Sequence, residues 1–189
     1  DTYEGMVRNV SRLEIITKER VKDEFCKMLT CKHPIMAMEL LRKIGAMHYV
    51  IPELEETYSM TQNEYHFGTV WEHTMMVLEG TKDDNMILRI SALLHDIGKI
   101  RVCTEEDGKI HFLKHELKSG EMIDELLRPL KFSNEIIKEV TFLVRNHMIC
   151  KTWGSECEYM KDKKLRRFQY ECKTEERFRN LMTIIDADN

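Results

Sequence analysis

Leu93-Leu94-His95-Asp96-Ile97-Gly98-Lys99 places an imidazole and a carboxylate side by side at the end of an apolar, helix-forming run. Neighbouring helical residues point about 100° apart, because one turn takes about 3.6 residues. His95 and Asp96 therefore cannot share one helix face, but they can converge on a metal ion that lies beside the helix. Gly98 follows two residues after the Asp, where it can bend or end the helix and let a ligand approach closely.

The composition is that of a mainly helical globular protein. A chain of 189 residues is long enough for one sizeable core, or for one domain with a small appendage. Eight Gly and three Pro, against thirteen Met and abundant Leu, Ile, Glu and Lys, favour an all-α fold. The formal charge of −4 provides no overall basic surface, so a nucleic-acid partner would have to be held by local patches.

The six cysteines form no CxxC pair and no regular framework. With no signal peptide and no long apolar run, we expect reduced thiols in a cytoplasmic protein, no zinc finger and no membrane association. The chain begins without Met and stops at Asn189 with no helix-ending residue after it. We therefore expect it to be a piece of a longer polypeptide.

Apolar residues recur at helical spacing along most of the chain. Residues 1–10 lack this periodicity and are expected to form a poorly ordered lead-in, and 61–68 reads as a loop. The turn signal at 105–108 predicts a small β-hairpin that joins Val102 to the 110–113 stretch. The helices predicted are one that begins at Thr17, Pro34 to Gly45, Val70 to Leu78, one from Asp83-Asp84-Asn85 through Leu94, His115 to Leu127, Ser133 to Asn146 and Glu175 to Asp188; 161–167 is expected to be a solvated helix face.

Further residues of the types that bind metal ions lie at or near the ends of these predicted helices. Imidazole and carboxylate together suit a hard-to-borderline divalent cation. A mixed site with open coordination positions fits hydrolysis of phosphate esters, because the ion lowers the pKa of a bound water and neutralises phosphoryl oxygens. The candidates in chain order are His73, His95, Asp96, His115, His147, Asp186 and Asp188.

A set of short motifs resembles the HD-domain superfamily of metal-dependent phosphohydrolases. More narrowly, the chain resembles the HD region of bacterial CCA-adding enzymes (tRNA nucleotidyltransferases) and of poly(A) polymerase-like relatives. The motifs that carry this resemblance are Tyr65-His66-Phe67, Val70-Trp71-Glu72-His73-Thr74, Ala92-Leu93-Leu94-His95-Asp96-Ile97-Gly98-Lys99, Asp107-Gly108, Ile110-His111-Phe112, His115-Glu116, Leu130-Lys131-Phe132-Ser133, Leu143-Val144-Arg145-Asn146-His147-Met148 and Ala187-Asp188-Asn189.

The resemblance implies an HD-domain helical bundle at 61–189, preceded by a helical hairpin at 1–60. Residues 17–54 are similar to the RNA-binding helices that join the polymerase head to the HD region in that family. Those enzymes add nucleotides with a Gly-rich loop and paired aspartates, and neither stands before Thr17. We therefore expect no nucleotidyl transfer by this chain alone.

The resemblance also implies a role for each matching position. His73, His95, Asp96 and Asp188 would bind a divalent ion, whether Mn, Mg, Ni, Co or Fe, and the Ala-Asp-Asn triplet favours Asp188 over Asp186. One or two ions are expected, since His115 and His147 correspond to positions that hold a second metal or contact phosphate. Asp96, Lys99 and Arg145 are the catalytic candidates; Lys99 and Arg145 would face the negative charge of the substrate. Trp71 is expected to be a packing anchor.

The function implied is hydrolysis of phosphomonoesters or cyclic phosphodiesters on nucleotides or RNA ends, with tRNA as a candidate partner. No Ser or Cys triad spacing is visible, which disfavours covalent catalysis. Two alternatives stay open. The first is a non-catalytic tRNA- or RNA-binding module of a CCA-adding enzyme, and the second is a free-standing HD hydrolase of small nucleotides.

Overall fold

A computed structural model describes residues 1–62, 68–82, 84–149 and 162–189, with some side chains of 162–167 left out. The prediction of an all-α fold is confirmed, because β-structure in these residues is limited to one short hairpin and an isolated bridge. The helices are α1 (Thr2–Asn9), a 3-10 helix (Val10–Ile15), α2 (Lys18–Leu29), α3 (Pro34–Lys43), α4 (Met47–Val50), α5 (Glu53–Glu56), α6 (Val70–Gly80), α7 (Met86–Leu94), α8 (Lys99–Val102), α9 (His115–Leu127), α10 (Asn134–Asn146), α11 (Asp162–Glu171) and α12 (Glu175–Ala187).

The first ten residues correct the sequence-based expectation, because they are helical rather than poorly ordered. Asp1 caps α1 by accepting from the Glu4 backbone N–H, and Glu4 pairs with the N-terminal ammonium in return. This reciprocal cap satisfies two exposed polar groups at the helix start. Since α1 has no buried residue, apolar periodicity could not reveal it.

Four of the helices that follow residue 68 begin at a polar residue whose side chain caps the helix. Thr69 and Glu72 form a capping box at α6, and the side chains of Asn85, Ser133 and Thr174 accept from backbone N–H groups at α7, α10 and α12. Thr17 also stands at an N-cap position, but its side chain makes no capping hydrogen bond to α2.

The predicted hairpin is present, but its strands lie closer to the turn than expected. Strand β1 (Thr104–Glu106) pairs antiparallel with β2 (Lys109–His111), around a turn in which Asp107 and Gly108 both have positive φ. Val102 belongs instead to helix α8, and Leu113 lies beyond β2. A two-residue hairpin turn needs positive φ at both central residues, and Asp followed by Gly adopts this conformation readily.

One hydrophobic core runs across the boundary that the sequence suggests at residue 60. Leu29 and Met38 from the first part are fully buried in the same cluster as Leu78, Leu93 and Val144. A second, smaller cluster joins α7 and α10 to α11 and α12 through residues that include Leu88, Leu143, Phe168 and Leu181. Helix α12 is thereby held against α6 and α7, which carry or precede the metal-ligand candidates.

Trp71 is a packing anchor, as predicted. Its ring is 3% exposed, packs edge-on against Tyr58 at 4.8 Å, and its Nε1 donates to Glu39 at 2.5 Å. The motif Tyr65-His66-Phe67, the residue Asp83 and part of the 161–167 charge run lie outside the described residues.

None of the helices in the described part of the chain combines the length and the apolar character that a membrane span requires.

Candidate metal centre

Four histidine and aspartate side chains from three separate places in the fold converge inside the bundle. His73 lies in the second turn of α6, His95-Asp96 directly follows α7, and Asp188 ends α12. All four side chains are nearly buried, with at most 6% of any residue exposed. Their ligand atoms lie within 4.8 Å of one another, so one cation could contact all four.

The distances within this first set are short. His73 Nε2 lies 2.9 Å from Asp188 Oδ1 and 3.5 Å from Asp96 Oδ2, while His95 Nε2 lies 3.3 Å from the same Asp96 oxygen. The two imidazole Nε2 atoms are 3.3 Å apart. Two nitrogen lone pairs so close repel each other unless a proton or a cation lies between them.

A second set lies on the other side of Asp96. His115, which begins α9, places Nε2 at 3.0 Å from Asp96 Oδ1, and His147, which caps α10, places Nε2 at 3.7 Å from that oxygen. These three residues also meet the geometric condition for a shared cation. Asp96 therefore turns one carboxylate oxygen toward each set.

Backbone hydrogen bonds determine which nitrogen of three of these histidines is available. The Nδ1 atoms of His95, His115 and His147 donate to the carbonyl three residues earlier, at 2.7 to 2.9 Å. A carbonyl can only accept, so each Nδ1 carries the proton and each neutral ring presents a bare Nε2 to the cluster. This backbone orientation is typical of metal-binding histidines.

The charges of the cluster shift its pKa values. Burial disfavours a charge on His95, but Asp96 and Asp188 outweigh burial and raise the pKa of His95 to about 10. Burial alone would raise the pKa of both carboxyls. The positive charges of His95 and Lys99 instead hold the pKa of Asp96 well below its usual range. Hydrogen bonds from His73 and His95 likewise hold the pKa of Asp188 well below its usual range. Burial lowers the pKa of the His147 imidazole to about 3. At pH 7 the carboxylates are therefore ionised and His147 is neutral, as cation binding requires, whereas His95 carries a proton that a bound metal would displace.

The donor set fits a divalent metal ion. Within the described residues, both Asp96 oxygens and His147 Nε2 are buried without a hydrogen bond of normal geometry, despite the close nitrogens around them. Buried polar atoms are seldom left in this state in a stable protein unless a ligand completes them. Imidazole nitrogen with carboxylate oxygen suits Mn, Fe, Co or Ni.

Lys99 lies beside the cluster rather than on an open surface. It is 3% exposed, and its Nζ lies 2.6 Å from Asp96 Oδ2 and 5.3 Å above the Phe112 ring. Its Nζ also donates to Gln62 Oε1 at 2.6 Å. Sequence reasoning missed Gln62, because a single amide in a polar stretch carries no periodic or motif signal.

Arg145 differs from the other candidates because it is exposed, in the last turn of α10. Its aliphatic stem lies over Gly120 of α9, where a Cβ would come within 2.1 Å of Arg145 Cγ. The structure therefore does not bring Arg145 into the buried cluster.

Gly98 has a different role from the one that its sequence position suggests. Its φ of −64° is ordinary, so the chain does not need glycine for backbone freedom here. Instead, a Cβ would lie 2.4 Å from Ser119 N and 2.5 Å from His115 O, and the Gly98 N–H donates to Ser119 Oγ at 2.8 Å. The missing side chain lets α9, rather than a ligand, approach the His95-Asp96 turn.

The buried His and Asp residues held between helices make this an all-α protein with a centre that could hold a metal ion, and comparison with known proteins is consistent with that class. The family model "HD domain" matches residues 63–188. A second model, "Probable RNA and SrmB-binding site of polymerase A", matches residues 1–57. The chain belongs to the HD-domain family.

The relatives found include tRNA nucleotidyltransferases and multifunctional CCA proteins. The chain is 31% identical over 137 residues to the CC-adding tRNA nucleotidyltransferase of Thermus thermophilus, and 30% identical over 144 residues to the A-adding tRNA nucleotidyltransferase of Deinococcus radiodurans. These matches cover 69% and 73% of this chain but 32% and 33% of the relatives. The chain thus spans about a third of their length. The multifunctional CCA protein of Actinobacillus pleuropneumoniae is 31% identical, over 71% of this chain and 34% of the relative.

Proposed function

We propose that this chain is a metal-dependent phosphohydrolase domain that cleaves phosphomonoesters or cyclic phosphodiesters of nucleotides or RNA ends. One observation carries the proposal: Asp96 presents one oxygen to each of two sets of buried imidazole nitrogens. Carboxylate-bridged, imidazole-rich sites of this kind suit displacement at phosphorus.

In this proposal His73, His95, Asp96 and Asp188 hold one divalent ion, and Asp96, His115 and His147 hold a second. When bound, such ions supply Lewis acidity that activates water and neutralises phosphoryl oxygens. The backbone bonds to His95, His115 and His147 keep their Nε2 atoms aimed inward. Lys99 provides a fixed positive charge beside Asp96, where charge develops in the transition state. Arg145, being exposed, would contact a more distant part of the substrate.

The metal content of the purified chain tests this proposal. We expect at least one equivalent of transition metal, and turnover of 2′,3′-cyclic nucleotides or p-nitrophenyl phosphate with added Mn, Ni or Co. Asp188→Ala should lose both, because Asp188 is 6% exposed and contacts His73. Asp186→Ala is the matched control, since Asp186 is exposed two residues away. Turnover that survives in Asp188→Ala, or is absent with every ion, would reject the proposal.

A second candidate function is binding of tRNA or another RNA. The match of residues 1–57 to an RNA-binding model and the similarity to tRNA nucleotidyltransferases favour it. In that case the metal would stabilise the fold only. Filter binding of labelled tRNA, with wild type beside Asp96→Ala, separates the two: a binding module retains RNA affinity in a folded chain that has no hydrolytic activity with any ion.

A further inference from the structure

Gln62 and Lys99 form a buried pair that joins two distant parts of the chain. Lys99 Nζ donates to Gln62 Oε1 at 2.6 Å, across 37 residues, and the two residues are 3% and 8% exposed. An ammonium group has only protons to offer, so the amide must present its oxygen to Lys99. The Gln62 Nε2 then points toward Thr69 O, at 3.4 Å, beside the start of α6.

Lys99 shares its second partner with the metal-ligand candidates. Asp96 Oδ2 lies 2.6 Å from Lys99 Nζ, and it is also the oxygen nearest to His73 and His95. A divalent ion in the first set would compete with Lys99 for this oxygen, and a buried ammonium without a partner is unfavourable. Gln62 Oε1 is an acceptor outside the ligand set and stays available when the ion takes Asp96.

We infer that Gln62 is a positioning residue for Lys99 in the proposed hydrolase. It holds the ammonium next to the metal centre without adding a second negative charge to that of Asp96, because an amide oxygen is neutral. A second carboxylate in the place of Gln62 would cancel the charge that Lys99 offers to a phosphoryl oxygen once an ion takes Asp96. This inference rests on the proposed function for its catalytic part, whereas the anchoring of Lys99 can be measured without turnover.

Turnover provides the first test. Gln62→Met removes the acceptor at similar volume, and Gln169→Met is the matched control on the exposed face of α11. With p-nitrophenyl phosphate and Mn²⁺, we expect Gln62→Met to lower kcat by about 10- to 100-fold, as for loss of a hydrogen bond to a charged group, with KM and metal content near wild type. In the Lys99→Met background the same change should have no further effect on kcat. An additive loss would show a merely structural role and overturn the inference.

Chemical labelling of lysines provides the second test. Under trace acetylation followed by mass spectrometry, Lys99 should react slowly beside exposed Lys131. Gln62→Met should raise Lys99 labelling by about 10-fold or more, whereas Gln62→Glu, which keeps an oxygen acceptor, should leave it slow and still lower kcat. If Gln62→Met does not fold, Gln62→Asn takes its place in both tests. The shorter side chain of Asn stays polar but moves the amide oxygen away from Lys99.

The two measurements separate the possible failures. If the wild type hydrolyses nothing with any ion, the proposed function fails, and labelling alone decides whether Gln62 anchors Lys99. If Gln62→Met leaves both labelling and kcat unchanged, the inference is wrong while the hydrolase proposal stands.

Discussion

Gly98→Ala is the substitution whose effect follows most directly from the geometry of the metal centre. The new Cβ would lie 2.4 Å from Ser119 N and 2.5 Å from His115 O, and both are backbone atoms that cannot rotate away. The first turn of α9 must therefore retreat by about 1 Å to restore ordinary van der Waals contact. That movement carries His115 away from Asp96, which it now approaches to 3.0 Å.

We expect three consequences of this displacement. Overpacking should lower the free energy of unfolding by about 1–3 kcal/mol. The affinity of the second set for Mn²⁺ should fall about 10- to 100-fold, as when the support of a ligand is lost. Turnover should fall about 100-fold, which is typical of a 1 Å misplacement. The first set does not involve α9, so its affinity should be unchanged.

Urea unfolding and calorimetric Mn²⁺ titration measure these effects. Gly5→Ala is the control, because nothing lies within 4 Å of a Cβ there and Gly5 is helical. It should leave metal binding unchanged and raise stability by about 0.5–1 kcal/mol. The reasoning is refuted if Gly98→Ala matches the wild type in both stability and Mn²⁺ binding.

Three further predictions concern charge, the core and the junction of the two parts. In the ion-free chain, the raised pKa of His95 contributes stability that is full below pH 6.5 and declines as the pH rises toward about 10. A metal must displace the proton that His95 carries, so Mn²⁺ affinity measured by titration should rise by about tenfold per pH unit between pH 7 and 9. Leu29→Ala should cost about 2–5 kcal/mol in one cooperative urea transition, because Leu29 is fully buried in the core common to both parts; two transitions would contradict this. Trp71→Phe should lower the free energy of unfolding by about 1–3 kcal/mol, because Glu39 loses the hydrogen bond that Trp71 Nε1 donates. An unchanged unfolding midpoint would contradict a stabilising role for this hydrogen bond.

Much of the helical arrangement could be predicted because helix ends have local chemical signals. The helices predicted at Ser133 to Asn146 and Glu175 to Asp188 are present to within one residue at each end, and α9 has the predicted bounds. Helix α1 was missed since it is held by a cap between Asp1 and Glu4 and buries no residue. A pattern based on burial cannot detect a helix that lies wholly on the surface.

The candidate ligands could be listed from residue types, but their arrangement could not. Only His95 and Asp96 are adjacent in sequence, and the division of the Asp96 oxygens between two sets depends on how α9 and α10 cross. The exposure of Arg145 depends on the same crossing. The position of Gln62 beside Lys99 could not be predicted from the sequence, because it depends on a hydrogen bond formed across 37 residues.

The contact between His73 and Asp188 joins positions that are 115 residues apart. An ion bound between them would act as a removable cross-link that closes most of the chain into a loop, much as a disulfide does, and cross-links over long loops restrict the unfolded chain most. Chelation would then release the carboxyl end of α12 first, since only its final turn contributes a ligand. Metal supply would thereby control how firmly the last helix is attached.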